Sequence, residues 1–99
     1  FKDTKHEAVL KGMAAVRDVL RDGLTSKRIT RQEYADQLSL VAGTVDYAGF
    51  SAVDLVIEAV FEDLGVKQTV LREVEPQLPA HGIFATNTST IPIARIAEA

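Results

Sequence analysis

The residues best equipped for chemistry lie in two short runs. Asn87, Thr88 and Ser89 follow the apolar stretch Ile83 to Thr86, and Val60, Phe61, Glu62 and Asp63 follow the apolar stretch Asp54 to Ala59. Asn87 offers a donor and an acceptor, Ser89 offers both through one rotatable hydroxyl, and the Glu62 carboxylate accepts from hydroxyls such as those of a ribose. Together they suit a polar ligand. The competing use is structural, because Asn, Thr and Ser after a strand commonly cap the next helix or close a turn. Spacing alone favours that use. Lys67 stands one helical turn past Asp63, so a surface ion pair is its plain explanation, although it is also close enough to the strand ends to reach a ligand.

The other candidates are weaker. His6 falls near the start of an amphipathic helix and His81 in a loop, neither with a paired carboxylate or second ligand at metal spacing, so no metal site is expected. Lys27, Arg28 and Arg31 form a small basic cluster that could meet a phosphate, but a solvated turn is the simpler reading. Phe50, Phe61 and Phe84 read as core or loop anchors, since no basic stripe accompanies them as a stacking platform requires. There is no G-x-G-x-x-G or P-loop glycine run, and no Ser, His and acid set with a defensible geometry. These residues alone name no reaction.

The elements that must position them follow from periodicity. From Thr4 to Gly23 the apolar residues Val9, Met13, Val16 and Leu20 share a helical face, with Thr4 and Glu7 spaced as a capping box and Gly23 placed as a left-handed terminator. A second helix opens at Thr30, where Glu33 repeats the capping spacing, and the two make a helical hairpin. Residues 40 to 45 read as a short strand. Asp54 to Val60 reads as a strand buried on both faces of a parallel sheet. From about Leu64 to Leu78 a helical stripe returns, with Pro76 ending or kinking it. Ile83 to Thr86 is another strand, and Pro92 suits the first turn of a closing helix carrying Ile93, Ile96 and Ala97. Strand, helix, strand and helix form a βαβα unit, and in open parallel sheets ligands gather at the carboxyl ends of the strands. The Glu62 and Asn87 runs both lie there, as neighbours.

Composition bounds the classes. At 99 residues, 46% hydrophobic and 25% charged, the chain suits one small domain or part of a larger one. A net charge of −3 with interspersed signs implies neither nucleic acid nor an anionic membrane surface as partner. The absence of cysteine excludes disulfides and thiolate metal sites. No apolar run is long enough to cross a membrane as a helix. Phe1 is no ordinary translation start, and the chain reads as an excised piece.

Two motifs carry a resemblance. "VDLVIEAVFEDLGVKQTVLREVEPQL" and "IFATNTSTIPIARIA" resemble the middle of the NAD-binding domain of L-3-hydroxyacyl-CoA dehydrogenases. With "TVDYAGFSAVDLVIEAV", the likeness is greatest to the multifunctional alpha subunits of bacterial fatty acid oxidation complexes, which join enoyl-CoA hydratase and dehydrogenase activities. It covers nearly the whole chain. Thr86 departs from it, standing where the family usually has serine, and keeps the hydroxyl.

The resemblance implies an α/β fold: a partial Rossmann-like NAD-binding domain of parallel strands with crossover helices, preceded by the helical hairpin and lacking the first βαβ unit. Residues 1–99 would be its central and C-terminal part. Val60, Phe61 and Glu62 would line the NAD site, with Lys67 adding a polar contact and Asn87 bordering the nicotinamide end. Ser89 would bind cofactor and also hydrogen-bond the substrate's 3-oxygen. The glycine fingerprint would lie upstream of Phe1 and the general-base histidine downstream of Ala99, so no catalytic residue is expected here and the isolated chain should be inactive. Acyl-CoA as substrate, a thiolase subunit as partner and a cytoplasmic location are further implications. Losing the first βαβ unit should leave strand edges open to a rearranged sheet or to self-association. Two other classes remain open on the residues alone: a non-catalytic nucleotide-binding module, and an interaction module docking through the first helix.

Overall fold

Apolar residues spaced at four and three build helix α1, His6–Thr25, in the computed structural model, which describes residues 1–99. Both its ends differ from the sequence expectation. The Thr4 to Glu7 capping box does not form: Lys5 occupies the cap position, and the Thr4 amide donates instead to Asp3 Oδ1 at 2.7 Å. Asp3 takes the amide that Glu7 would have capped, and the Glu7 carboxylate stands 3.7 Å from the Lys11 ammonium instead. Gly23 does not terminate the helix but is buried within it, and a Cβ there would stand 3.3 Å from Ile29 Cγ1. Close approach by Ile29, rather than a left-handed turn, accounts for the glycine. The left-handed residue is Lys27, at φ 61°. Helix α2, Arg31–Ser39, opens with the full capping box: Thr30 Oγ1 accepts from the Glu33 amide and Glu33 Oε1 from the Thr30 amide, each at 3.1 Å. The two helices pack as the expected hairpin.

Residues 40 to 45 do not form a strand. Thr44 makes a single parallel bridge to Lys2, with its amide donating to the Phe1 carbonyl at 2.9 Å and its carbonyl accepting from the Asp3 amide at 3.1 Å. A strand needs a ladder. The short segment Phe1 to Asp3 is too brief to supply one.

The chain divides into two compact units, Phe1–Asp46 and Tyr47–Ala99. In the second, a 3-10 turn at Phe50–Ala52 precedes strand β1, Leu55–Glu58, and helix α3 follows at Leu64–Val74. Asp63 caps α3 by accepting from the Val66 amide at 2.9 Å. After Val74 the helix tightens into a 3-10 turn at Glu75–Gln77 around Pro76, which lacks an amide proton to continue it. Strand β2, Ile83–Thr86, and helix α4, Ile93–Ala97, close the unit.

Strands β1 and β2 pair in parallel, with Leu55 opposite Ile83, Val56 opposite Phe84, Ile57 opposite Ala85 and Glu58 opposite Thr86. The rearranged sheet considered above is not what forms. The burial expected on both faces of β1 is not found either. Leu55, Ile57 and Ile83 are 50%, 63% and 61% exposed, whereas Val56, Glu58, Phe84 and Thr86 face inward. Only one face of this two-stranded sheet is covered, so burial alternates along β1, while in β2 Ile83 is exposed and Phe84 to Thr86 are half-buried. On the covered side Val74 and Ile96 are the most buried apolar residues, and Leu71, Phe84, Ile93 and Ile96 line a cavity of about 270 Å³.

Candidate functional site

The inward alternation of β1 takes Glu58 out of solvent and gives it partners on every side. One carboxylate oxygen, Oε1, accepts from Lys67 Nζ at 2.7 Å and from the Val60 amide at 3.3 Å. The other accepts from Thr86 Oγ1 at 2.5 Å, and the Glu58 carbonyl accepts from the Asn87 amide at 2.9 Å. One residue thus ties the end of β1, the loop after it, helix α3 and the end of β2. Lys67 is 1% exposed, so it is not the surface residue expected from its spacing to Asp63. Asp63 is occupied in capping α3, and the Lys67 ammonium turns inward to Glu58 and to the Val60 carbonyl at 3.4 Å.

From Lys67 the network reaches the loops. Its ammonium lies 3.5 Å from Glu62 Oε1. That same oxygen accepts from Thr88 Oγ1 at 2.8 Å, while Glu62 Oε2 accepts from the Ser89 amide at 3.1 Å and from its hydroxyl at 3.5 Å. The loops after β1 and β2 are therefore clasped together at the carboxyl ends of the two strands. Thr88 takes the structural use weighed above, since its hydroxyl also accepts from the Ile91 amide at 3.1 Å and closes the turn before α4.

Charge follows this geometry. Burial opposes the Lys67 charge, but the Glu58 and Glu62 carboxylates outweigh it and hold the ammonium pKa above its ordinary value. The Ser89 amide, and then the Thr88 hydroxyl, hold the Glu62 carboxyl below its ordinary value; burial opposes them and Lys67 assists. Both groups are charged at neutral pH.

Capacity remains at the surface of this clasp. The exposed Asn87 side chain takes part in no hydrogen bond within the chain, and the exposed Ser89 hydroxyl has only its long contact to Glu62. Val60 is at the border of exposure and Phe61 is 85% exposed, so Phe61 is not the core or loop anchor expected of it. An aromatic face, an amide and a hydroxyl at the carboxyl ends of parallel strands suit a ligand with flat rings and polar edges, as a dinucleotide has.

The remaining candidates lie apart from this cluster. His6 is exposed at the start of α1. His81 has the carboxylate partner that its sequence position did not suggest, Asp54 at 3.0 Å, but both are exposed. No group of three acidic, histidine or cysteine side chains is placed to hold a metal. Sequence reasoning missed Glu58. The signal was present: a glutamate inside an otherwise apolar strand must be buried with a partner or point outward.

A family model for the NAD-binding domain of 3-hydroxyacyl-CoA dehydrogenases matches residues 1–99. The chain belongs to that family. Similar solved structures include a 3-hydroxybutyryl-CoA dehydrogenase from Escherichia coli, 29% identical with a TM-score of 0.90 over 97% of this chain and 20% of that one. M. tuberculosis FadB2 is 28% identical with a TM-score of 0.92, covering 98% of this chain and 34% of its own. The (S)-3-hydroxybutyryl-CoA dehydrogenase PaaH1 from Ralstonia eutropha is 31% identical with a TM-score of 0.89, covering 97% of this chain and 34% of that one. The chain spans about a fifth to a third of these relatives. The Rossmann-like class and NAD as the family's cofactor are thereby established, and no helix is long and apolar enough to cross a membrane.

Proposed function

We propose that this chain is the cofactor- and substrate-facing part of an NAD-dependent L-3-hydroxyacyl-CoA dehydrogenase, which oxidises a 3-hydroxyacyl-CoA to the 3-ketoacyl-CoA in fatty acid β-oxidation. The observation that carries the reading is the clasp of Glu62 on Thr88 and Ser89, which sets two exposed polar groups at the strand ends of a chain matched throughout by the family model. Val60, Phe61, Glu62, Lys67, Asn87 and Ser89 form the cofactor side. Phe61 and the backbone at Val60 offer it a wall, and Asn87 supplies a free amide. Glu62 and Lys67 contribute from beneath, since the Lys67 charge is held by Glu58 and Glu62 and the Glu62 carboxylate by Thr88 and Ser89. Ser89 holds the substrate's 3-oxygen through its hydroxyl.

When bound, NAD⁺ supplies the acceptor for the C3 hydride. The hydroxyl proton leaves to a general base outside these residues. The chain's own groups bind and orient, and the chain alone has no dehydrogenase activity. The parent protein is cytoplasmic and works beside a thiolase subunit. The isolated chain self-associates through its open strand edges. The test uses the full-length protein that contains this chain. NADH formation from a 3-hydroxyacyl-CoA is expected, and Ser89→Ala should lower kcat/KM about tenfold or more, the worth of one hydrogen bond to the reacting oxygen. Full-length protein that forms no NADH overturns the reading.

A further inference from the structure

The geometry points to Glu58 as a positioning residue that sets where Ser89 stands through Lys67 and where Asn87 stands through Thr86. This rests on the dehydrogenase reading for its catalytic consequence, but not for its structural part. Glu58 touches neither ligand-facing group with its side chain. It is 3% exposed and spends its carboxylate on Lys67, the Val60 amide and Thr86.

Two routes lead from it to the surface. Along the first, the Lys67 ammonium is fixed by the 2.7 Å bond to Glu58 and then stands 3.5 Å from Glu62, which holds the Ser89 amide. Along the second, the Thr86 hydroxyl and the Glu58 carbonyl hold the last residue of β2 and the Asn87 amide. The buried carboxylate therefore reaches Ser89 by way of Lys67 and Glu62, and Asn87 by way of the Thr86 hydroxyl, while the Glu58 carbonyl fixes the Asn87 backbone. A rigid, fully partnered network beneath two exposed groups is how a site is pre-organised, and displacement of about 1 Å in such groups can cost on the order of a hundredfold in rate.

Neutralising Glu58 leaves Lys67 with Glu62 as its only carboxylate, so the ammonium moves toward the loop. Glu58→Gln in the full-length protein should lower kcat per folded site by about tenfold or more, and the amide resonances of Ser89 and Asn87 should shift while those of α1 and α2 stay in place. Glu58→Gln with Lys67→Met, which removes both buried charges, should fold where the single variant does not and show the same loss. Wild-type kcat with unmoved Ser89 and Asn87 resonances in either folded variant overturns the inference. Failure of both to fold makes the pair a stability element and equally overturns it. If the wild-type protein forms no NADH but the two resonances still shift, the coupling stands and the dehydrogenase reading falls.

Discussion

Replacing Lys67 with methionine removes a buried ammonium and leaves its buried partner behind. The two side chains are each 1% exposed and their charged atoms are 2.7 Å apart. At an effective dielectric constant of about 20, that separation corresponds to an attraction of roughly 6 kcal/mol. The variant forfeits it, recovers the several kcal/mol spent on desolvating Lys67, and keeps the cost of burying Glu58. A net loss of about 3–5 kcal/mol follows, a large part of the roughly 5–15 kcal/mol available to a domain. Glu58→Gln should cost a similar amount. The double variant leaves no unpaired charge and should cost much less than the sum, with a coupling of at least about 2 kcal/mol. Urea unfolding by circular dichroism, with hydrogen exchange at the Asn87 and Ile83 amides to report on the sheet, measures the cycle. A single-variant loss below about 1 kcal/mol, or additivity within about 0.5 kcal/mol, would refute the reasoning.

Further outcomes are expected at other residues. Because the folded Glu62 carboxyl is held below its ordinary 4.5, its contribution to stability is present above that pH and disappears as pH falls through the folded value; the Ser89 amide resonance should titrate with a midpoint below 4.5. Tyr47 is pushed up to about 12 by partial burial and by its 2.5 Å hydrogen bond to Glu73, so alkaline titration of phenolate absorbance should show a tyrosine at that pH that Glu73→Gln brings down. That contribution is present below the ordinary phenol value and is lost as pH rises through the folded one. Thr30→Ala removes the acceptor for the Glu33 amide and should cost about 1 kcal/mol in urea unfolding of the helical hairpin, whereas Thr4→Ala should cost almost nothing.

Local chemistry was legible where it was self-contained. The Thr30 capping box, the change of helix type at Pro76, the limits of β2 and the adjacency of Glu62 to Ser89 all follow from residue types at short spacing. What could not be read depended on partners distant in sequence. Asp3 rather than Glu7 accepted from the Thr4 amide, Ile29 rather than a turn explained Gly23, and residues 40 to 45 lacked a ladder partner long enough to make them a strand. Lys67 was misread for the same reason. Its spacing to Asp63 suggested a surface pair, but the ion it meets stands nine residues back on a strand whose inward parity only the fold reveals.

That parity has a consequence for how the sheet finds its alignment. Two four-residue strands built largely of Leu, Val, Ile, Phe and Ala give little reason to prefer one pairing, because sliding one past the other by two residues returns every side chain to its own face. Glu58 removes the ambiguity. Opposite Thr86 its second carboxylate oxygen finds a hydroxyl, but slid to stand opposite Phe84 that oxygen would face an aromatic ring and lose a hydrogen bond to a charged group, at a cost of about 1.5–3 kcal/mol. The mis-slid sheet is thus selected against by a single acidic residue, and the loops that carry Glu62 and Ser89 can meet in only one way.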